Sequence, residues 1–210
     1  DWVQYAGPYF DSKEYVAAVK TLLGEWLVLG AEANKFERTF PKHFGKEWGL
    51  FVNSGSSANL LMMLAMTSKR GLNLPKGTKV ITPIAGFPTT INPIFQVGFT
   101  PVFVDIEFDT CNIDASKIEA KINSKTRAIL PVSLYGQPAN MREINAIAER
   151  HELLVIEDAA QSFGAEYGGK KSCNLSTVGC TSFFPSKPLG CYGDGGAIFT
   201  SDHAIAQACR

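Results

Sequence analysis

The stretch Thr181-Ser182-Phe183-Phe184-Pro185-Ser186-Lys187-Pro188-Leu189-Gly190 places one lysine between two prolines in an otherwise uncharged loop. Most lysines lie on protein surfaces among other polar residues. The apolar, proline-flanked setting of Lys187 is different, and it predicts a chemical role for this side chain rather than a solvating one.

A second stretch, Ile156-Glu157-Asp158-Ala159-Ala160-Gln161, continues an apolar run that begins at Leu153. An apolar run that ends in a carboxylate is typical of a buried parallel strand whose carboxyl end opens on a ligand crevice. A carboxylate at such an edge and a lysine in an apolar loop together suggest a site for pyridoxal phosphate.

Short apolar runs alternate with helical patterns along most of the chain. Strands are predicted at residues 50–52, 79–82, 101–104, 128–132, 153–156, 178–184 and 196–200. Helices are predicted at residues 12–26, 58–69, 89–97, 115–122 and 141–151. Residues 164–170 predict a hairpin turn, because Lys171 stands where a phosphate-binding P-loop needs Ser or Thr. This alternation predicts an α/β fold with a mostly parallel sheet and helices on both faces.

The charge balance limits the classes of partner. Twenty basic residues offset twenty acidic ones, so no long-range field attracts nucleic acid or an anionic membrane, and no apolar run reaches the length of a membrane span. We expect a small-molecule ligand and neither a nucleic-acid nor a membrane partner. The chain opens at Asp1 without a methionine or signal sequence and stops at Arg210 within a helical pattern, so we expect a fragment of a soluble, cytoplasmic protein.

The metal-binding side chains are scattered along the sequence. Five cysteines leave one unpaired in any full disulfide scheme, and none forms a C-x-x-C pair with metal-ligand spacing. The three histidines, His43, His151 and His203, lie far apart. We therefore expect reduced thiols and no metal site.

Pyridoxal phosphate requires a lysine amine for its Schiff base and a carboxylate that keeps the pyridine nitrogen protonated. Lys187 and Asp158 are the candidate catalytic residues for these two tasks. The alternative reading of Lys187 is a surface lysine, and that of Asp158 is a helix N-cap.

The phosphate of this cofactor is bound most simply at a helix N-terminus. Asn53-Ser54-Gly55-Ser56-Ser57-Ala58 follows a strand and opens a helix. We expect Gly55 to bring the backbone close to the phosphate, and Ser56 and Ser57 to cap the helix and bind. Ser182 adds a further hydroxyl, although serine-rich turns of this kind are also common as plain helix caps.

Two further residues are candidates for the cofactor ring. Phe87, in Ala85-Gly86-Phe87-Pro88 after another strand, has an aromatic face that packs well over a pyridine ring. Gln161 is placed to hydrogen-bond the phenolic oxygen. A core phenylalanine and a structural glutamine are the competing readings.

These segments resemble the DegT/DnrJ/EryC1/StrS family of pyridoxal phosphate-dependent nucleotide-sugar aminotransferases, most specifically in residues 157–163 and 182–196. The resemblance implies the large domain of a fold-type I aminotransferase, with Lys187 as the Schiff-base lysine and Asp158 on the pyridine nitrogen. It also implies Gln161 near the phenolic oxygen, Phe87 against the ring, and phosphate ligands at Ser56, Ser57 and Ser182.

The resemblance further implies the domain plan and the reaction. We expect an N-terminal helical segment at residues 1–30, the cofactor-binding domain at residues 31–210, and a smaller C-terminal domain with no counterpart in this chain. Family members are typically homodimers that use glutamate as the amino donor. The second half is similar to the enzymes that aminate UDP-2-acetamido-3-keto-glucuronic acid for O-antigen synthesis.

The first half, in contrast, is similar to sugar 3-dehydratases of the same superfamily. Those dehydratases characteristically carry histidine where this chain has Lys187, so the lysine favours amino transfer. A 3-dehydratase and a non-catalytic regulatory module on the same fold remain the alternatives.

Overall fold

The computed structural model describes residues 6–24 and 28–210. The strands of its large sheet are β1 (Trp48–Val52), β2 (Lys79–Pro83), β3 (Thr100–Val104), β4 (Thr126–Ile129), β5 (Leu154–Asp158), β8 (Val178–Ser182) and β9 (Gly196–Thr200), and β6 (Glu166–Tyr167) pairs with β7 (Lys170–Lys171) in the predicted hairpin. The order in the sheet is β1-β9-β8-β5-β4-β2-β3. Within the described part of the chain, β9 is the one strand of the large sheet that runs against the others. The predicted mostly parallel sheet is confirmed.

Helices cover both faces of this sheet, as predicted. They are α1 (Ser12–Leu23), α2 (Ala31–Phe44), α3 (Gly55–Thr67), α4 (Pro88–Gln96), α5 (Met141–Arg150) and α6 (His203–Ala208). Side chains alternate between faces along a strand, so Ile156 packs in one core with α3, α4 and α6, while Val155 packs in another core with α5. A third cluster, rich in phenylalanine, joins α2 to β9.

Several predicted boundaries are wrong. The predicted helix at residues 115–122 is two separate 3₁₀ turns, Ala115–Lys117 and Glu119–Lys121, because its backbone bonds run from residue i to residue i−3. The strands predicted at 128–132 and 178–184 end earlier, at Ile129 and Ser182. α1 is capped by Asp11 and ends at Leu23, and its predicted end at Trp26 lies outside the described residues.

Helix α2 was not predicted at all. Its phenylalanines recur at the spacing of one helical face, and Phe36 and Phe40 stack with their ring centroids 4.5 Å apart. Its N-cap, Gly30, forms no side-chain cap, and Pro41 lies inside the helix. Both features are atypical of helices and conceal the pattern in the sequence.

The carboxyl ends of the parallel strands meet at one edge of the sheet. β5 ends at Asp158 and β8 at Ser182, while α3 follows β1 and α4 follows β2. Ligands bind at this edge in open α/β sheets. None of the described helices has the length and apolar character needed to cross a bilayer, and the described residues include no cluster of three or more His, Cys, Asp or Glu side chains able to hold a metal ion.

Candidate active site

A cavity of about 390 Å³ opens at this edge of the sheet. It falls within the range of small-molecule sites. Its lining comes from the ends of β5 and β8, the first turns of α3 and α4, and the loops that follow β4, β5 and β8 or precede β9. The residues are Ser54, Gly55, Ser56, Asn59, Phe87, Thr89, Val132, Asp158, Ala160, Gln161, Ser182, Phe184, Ser186, Lys187 and Asp194. Both polar and apolar side chains therefore face one ligand-sized space.

The structure brings all but one of the predicted site residues to this cavity. Gly55, Ser56, Phe87, Asp158, Gln161, Ser182 and Lys187 line it, and Ser57 does not. The predicted caps are also wrong, because α3 begins at Gly55 and its N-cap is Ser54. The Ser57 amide donates to Ser54 Oγ at 3.0 Å, and the Ser57 hydroxyl accepts from the same Oγ at 3.1 Å. Ser57 is therefore bonded to the N-cap residue Ser54 and lies outside the cavity lining.

The N-terminus of α3 and the end of β8 form one wall of the cavity. A Cβ atom on Gly55 would lie 2.6 Å from the Cβ of Ser182, so no larger residue fits between the helix and the strand. Ser56 Oγ donates to Thr89 Oγ1 at 2.9 Å. The backbone N–H groups and hydroxyls at a helix N-terminus make this wall suited to an anion.

Asp158 is buried at the floor of the cavity. Its backbone N–H donates to Pro131 O at 2.9 Å, and its carbonyl accepts from Ser133 N at 3.0 Å. Its carboxylate accepts from the Ala160 amide at 3.1 Å and from the side chains of Asn59 and Thr90. The sheet thus holds the residue rigidly while one face of its carboxylate meets the cavity.

Gln161 and Phe87 approach the cavity from two other elements. Gln161 Oε1 accepts from the Tyr135 amide at 3.0 Å, and Tyr135 has the left-handed φ of 53° that a side chain rarely adopts. This hydrogen bond gives Gln161 a structural role in holding the Tyr135 turn, beside the predicted hydrogen bond to the phenolic oxygen of the cofactor. Phe87 is the N-cap of α4 and is 60% exposed, which is incompatible with a core phenylalanine.

Lys187 lies in a loop that doubles back sharply on itself. Its backbone N–H donates to Phe184 O at 2.8 Å. A Cβ on Gly190 would lie 2.6 Å from Pro185 O, so glycine is required where the loop closes. None of the ion pairs between described residues includes Lys187. Its ammonium is thus not engaged by a carboxylate of the described chain.

Several polar groups in and behind the cavity wall were not predicted from the sequence, among them Asn59, Thr90 and Asp194. Asn59 carried a readable signal, because it shares the i, i+3, i+4 spacing of α3 with Met62 and Met63 in the core. A polar residue in such an apolar stripe calls for a polar partner. Thr90 and Asp194 carry no comparable signal.

A second buried carboxylate lies behind the site. Glu157 is on the opposite face of β5 from Asp158 and accepts from Ser172 Oγ at 2.7 Å and from Cys173 N at 3.0 Å. Burial outweighs these hydrogen bonds and raises the pKa of Glu157 to about 7. Burial likewise lowers the pKa of the nearby Lys46 ammonium, which donates to Ser176 O at 2.6 Å.

Replacing Glu157 by glutamine is expected to flatten the dependence of stability on pH. The pKa of about 7 in the folded chain lies above the ordinary value of 4.5, so the folded state binds this proton more tightly. Wild-type stability therefore falls as the pH rises from about 4.5 to 7, by at most about 3 kcal/mol. The introduced glutamine keeps both hydrogen bonds if its amide nitrogen donates to Ser172 Oγ.

Urea unfolding of wild type and E157Q at pH 5 and pH 8 checks this expectation. The control is Glu149→Gln, an exposed carboxylate on α5. It should retain the wild-type slope. An E157Q protein that loses stability between pH 5 and pH 8 as steeply as wild type would show that Glu157 is not the titrating group.

The fold and the cavity define the class of protein. The solved structure of Escherichia coli GDP-4-keto-6-deoxy-D-mannose-3-dehydratase with bound hydrated PLP matches with a TM-score of 0.91 and 33% sequence identity, over 99% of this chain and 54% of that one. The architecture is therefore that of the large domain of the PLP-dependent aminotransferase fold. The chain belongs to the DegT/DnrJ/EryC1/StrS aminotransferase family, whose family model matches residues 8–210.

Curated relatives include both an aminotransferase and a regulatory protein, which are two of the three functions that the sequence leaves open. UDP-2-acetamido-2-deoxy-3-oxo-D-glucuronate aminotransferase of Pseudomonas aeruginosa is 49% identical over 183 residues, which are 87% of this chain and 49% of that protein. A pleiotropic regulatory protein of Geobacillus stearothermophilus is 44% identical over 87% of this chain and 48% of its own length. The chain spans about half the length of these relatives.

Proposed function

We propose that the protein transfers an amino group from glutamate to a nucleotide-linked keto sugar, with pyridoxal phosphate as cofactor, in the synthesis of a cell-surface polysaccharide such as O-antigen. The observation that carries the proposal is one cavity that brings Lys187, Asp158 and the N-terminus of α3 together. The 49% identity to a UDP-keto-sugar aminotransferase supports the substrate class.

The cavity fits this cofactor on two independent observations. Gly55 and the hydroxyls of Ser56 and Ser182 form an anion-binding wall at the N-terminus of α3, and the Lys187 amine and the Asp158 carboxylate line the same space. We assign the phosphate to the α3 N-terminus with Ser56 and Ser182. Phe87 is assigned to the ring face.

Bound pyridoxal phosphate supplies an aldehyde that takes up and releases an amino group and a pyridine ring that accepts an electron pair. Lys187 would hold the cofactor at its aldehyde through the side-chain amine, and the same amine, when free, would move a proton at the donor carbon. Asp158 holds the proton on the pyridine nitrogen, and Phe87 keeps water from one ring face.

A sugar 3-dehydratase is the second candidate, favoured by the 0.91 TM-score to such an enzyme. Lys187 argues against it, because the dehydratases that the sequence resembles carry histidine at this position. A histidine can move protons, but only a lysine can form the covalent link to the cofactor again. A regulatory role is supported by the 44% identity to a regulatory protein. The presence of both Lys187 and Asp158 argues against that role, since binding alone does not require a lysine on the cofactor.

The deciding experiment uses the full-length protein, pyridoxal phosphate, glutamate and a panel of UDP- and dTDP-linked keto sugars. Mass spectrometry of the sugar distinguishes the candidates, and 2-oxoglutarate is measured in parallel. Gain of an amine with equimolar 2-oxoglutarate is the expected result. Loss of the 3-hydroxyl would establish the dehydratase, and an unchanged panel with bound cofactor would favour regulation.

A homodimer in the cytoplasm completes the proposal. Helix α1 has no buried residue and exposes Val16, Val19, Leu22 and Leu23, and exposed apolar surfaces of this kind mark protein contacts. All five cysteines are free, which suits a reducing compartment. Sedimentation of the full-length protein tests the dimer.

A further inference from the structure

One oxygen of the Asp158 carboxylate binds two side chains from two different helices. Oδ2 accepts from Asn59 Nδ2 on α3 at 2.9 Å and from Thr90 Oγ1 on α4 at 2.6 Å. Oδ1 accepts from the Ala160 amide alone among the described groups. A carboxylate oxygen accepts about two donors, so Oδ2 is saturated and Oδ1 has room for one more.

The Asn59 amide is oriented by this carboxylate. Asn59 is 3% exposed, and its Oδ1 has no donor among the described residues. Turning the amide over would set Oδ1 against Asp158 Oδ2, and two acceptors repel. The hydrogen bond from Nδ2 to the carboxylate therefore fixes the amide in the orientation that leaves Oδ1 unpaired. Its neighbours Met62 and Met63 are fully buried, so core packing does not account for an asparagine here.

We propose that Asn59 and Thr90 are positioning residues that fix the Asp158 carboxylate so that Oδ1 meets the pyridine nitrogen of the cofactor. This inference rests on the proposed function. The same two hydrogen bonds connect α3 and α4 through Asp158 Oδ2. They therefore fix the positions of two groups relative to this oxygen: the N-terminus of α3, assigned to the phosphate, and Phe87 at the start of α4, assigned to the ring.

Thr90→Val tests the inference, because valine keeps the shape of threonine and removes the hydroxyl. In the full-length protein, T90V is expected to raise the dissociation constant of pyridoxal phosphate by roughly 10- to 100-fold, because a displaced Asp158 carboxylate loses its own charged hydrogen bond to the pyridine nitrogen. It should also shift the pH at which the absorbance of the bound cofactor changes. Thr90→Ser restores the hydroxyl and should remain within about 3-fold of wild type.

The matched control is Thr82→Val. Thr82 is a fully buried threonine whose hydroxyl donates to Leu130 O at 3.1 Å, away from the cavity lining. It should leave the cofactor affinity and the spectral pH profile unchanged. If T90V does not fold, Asn59→Leu provides the same test, because it removes the other side-chain donor to Asp158 Oδ2.

A double-mutant cycle separates positioning from general destabilisation. In an Asp158→Ala background, T90V is expected to have no further effect on cofactor binding, because both residues act through one carboxylate. An equal effect in both backgrounds would overturn the positioning role. Wild-type protein that binds no pyridoxal phosphate would overturn both proposals. If wild type, T90V and T90S all bind pyridoxal phosphate with the same dissociation constant, the positioning role alone is overturned.

Discussion

Replacing Lys187 by alanine is expected to lower amino transfer on the order of 10⁴-fold, the upper end of what a positioned acid–base group contributes. The loss combines two tasks of one amine, the covalent link to the cofactor and the proton transfer at the donor carbon. The cofactor should still bind, since its phosphate and ring contacts are assigned to other residues. Incubation with pyridoxal phosphate, borohydride reduction and peptide mapping of the full-length protein provide the second readout.

The two readouts distinguish a lost catalyst from a damaged fold. Wild type should carry the reduced cofactor on the peptide that contains Lys187, and K187A should carry none. Lys69→Ala, an exposed lysine outside the cavity, is the matched control and should behave as wild type. Cofactor found on another lysine of K187A, with amino transfer intact, would refute the assignment.

The strands were largely predictable because a parallel sheet covered on both faces buries side chains on both sides of its central strands, and most of those side chains are apolar. β5 and β8 are buried along most of their length, so their sequences stand out as apolar runs. The helix predicted at 115–122 failed because its buried residues, Ala115 and Ile118, are three positions apart, a spacing that places side chains on one face of a 3₁₀ turn as well as of an α-helix. Propensity and periodicity do not decide between these two hydrogen-bond patterns.

The candidate site was predictable only where local sequence marks a strand end. Asp158, Ser182 and Lys187 stand beside such ends, and all three line the cavity. Asn59 and Thr90 lie 99 and 68 residues from Asp158, the carboxylate they bind. Their contacts depend on how α3 and α4 dock on the sheet, and no spacing rule in the sequence records that docking.

Replacing Asp158 by asparagine is expected to lower amino transfer by at least about 10²-fold, the cost of losing one preorganised electrostatic group. Asparagine matches the size of aspartate and removes its charge, so the proton on the pyridine nitrogen loses its partner. The fall should be mainly in kcat, with weaker cofactor binding and an altered absorbance of the bound cofactor.

The hydrogen bonds at Asp158 can largely re-form in D158N, so the expected loss of stability is small. An amide nitrogen in place of Oδ2 would face the donors of Asn59 and Thr90, and in place of Oδ1 it would face the Ala160 N–H. Asn59 offers an unpaired Oδ1 and the threonine hydroxyl rotates, so the first arrangement re-forms its bonds, and stability should fall by only about 1–2 kcal/mol.

Asp202→Asn is the matched control for this loss of charge at Asp158. Asp202 accepts from the Ile205 amide at 3.0 Å as the N-cap of α6, outside the cavity, and asparagine caps helices nearly as well. It should keep wild-type turnover and nearly all of its stability. A D158N protein with wild-type turnover and an unchanged cofactor spectrum would show that the pyridine nitrogen does not depend on this carboxylate, because the only groups altered are its charge and one acceptor.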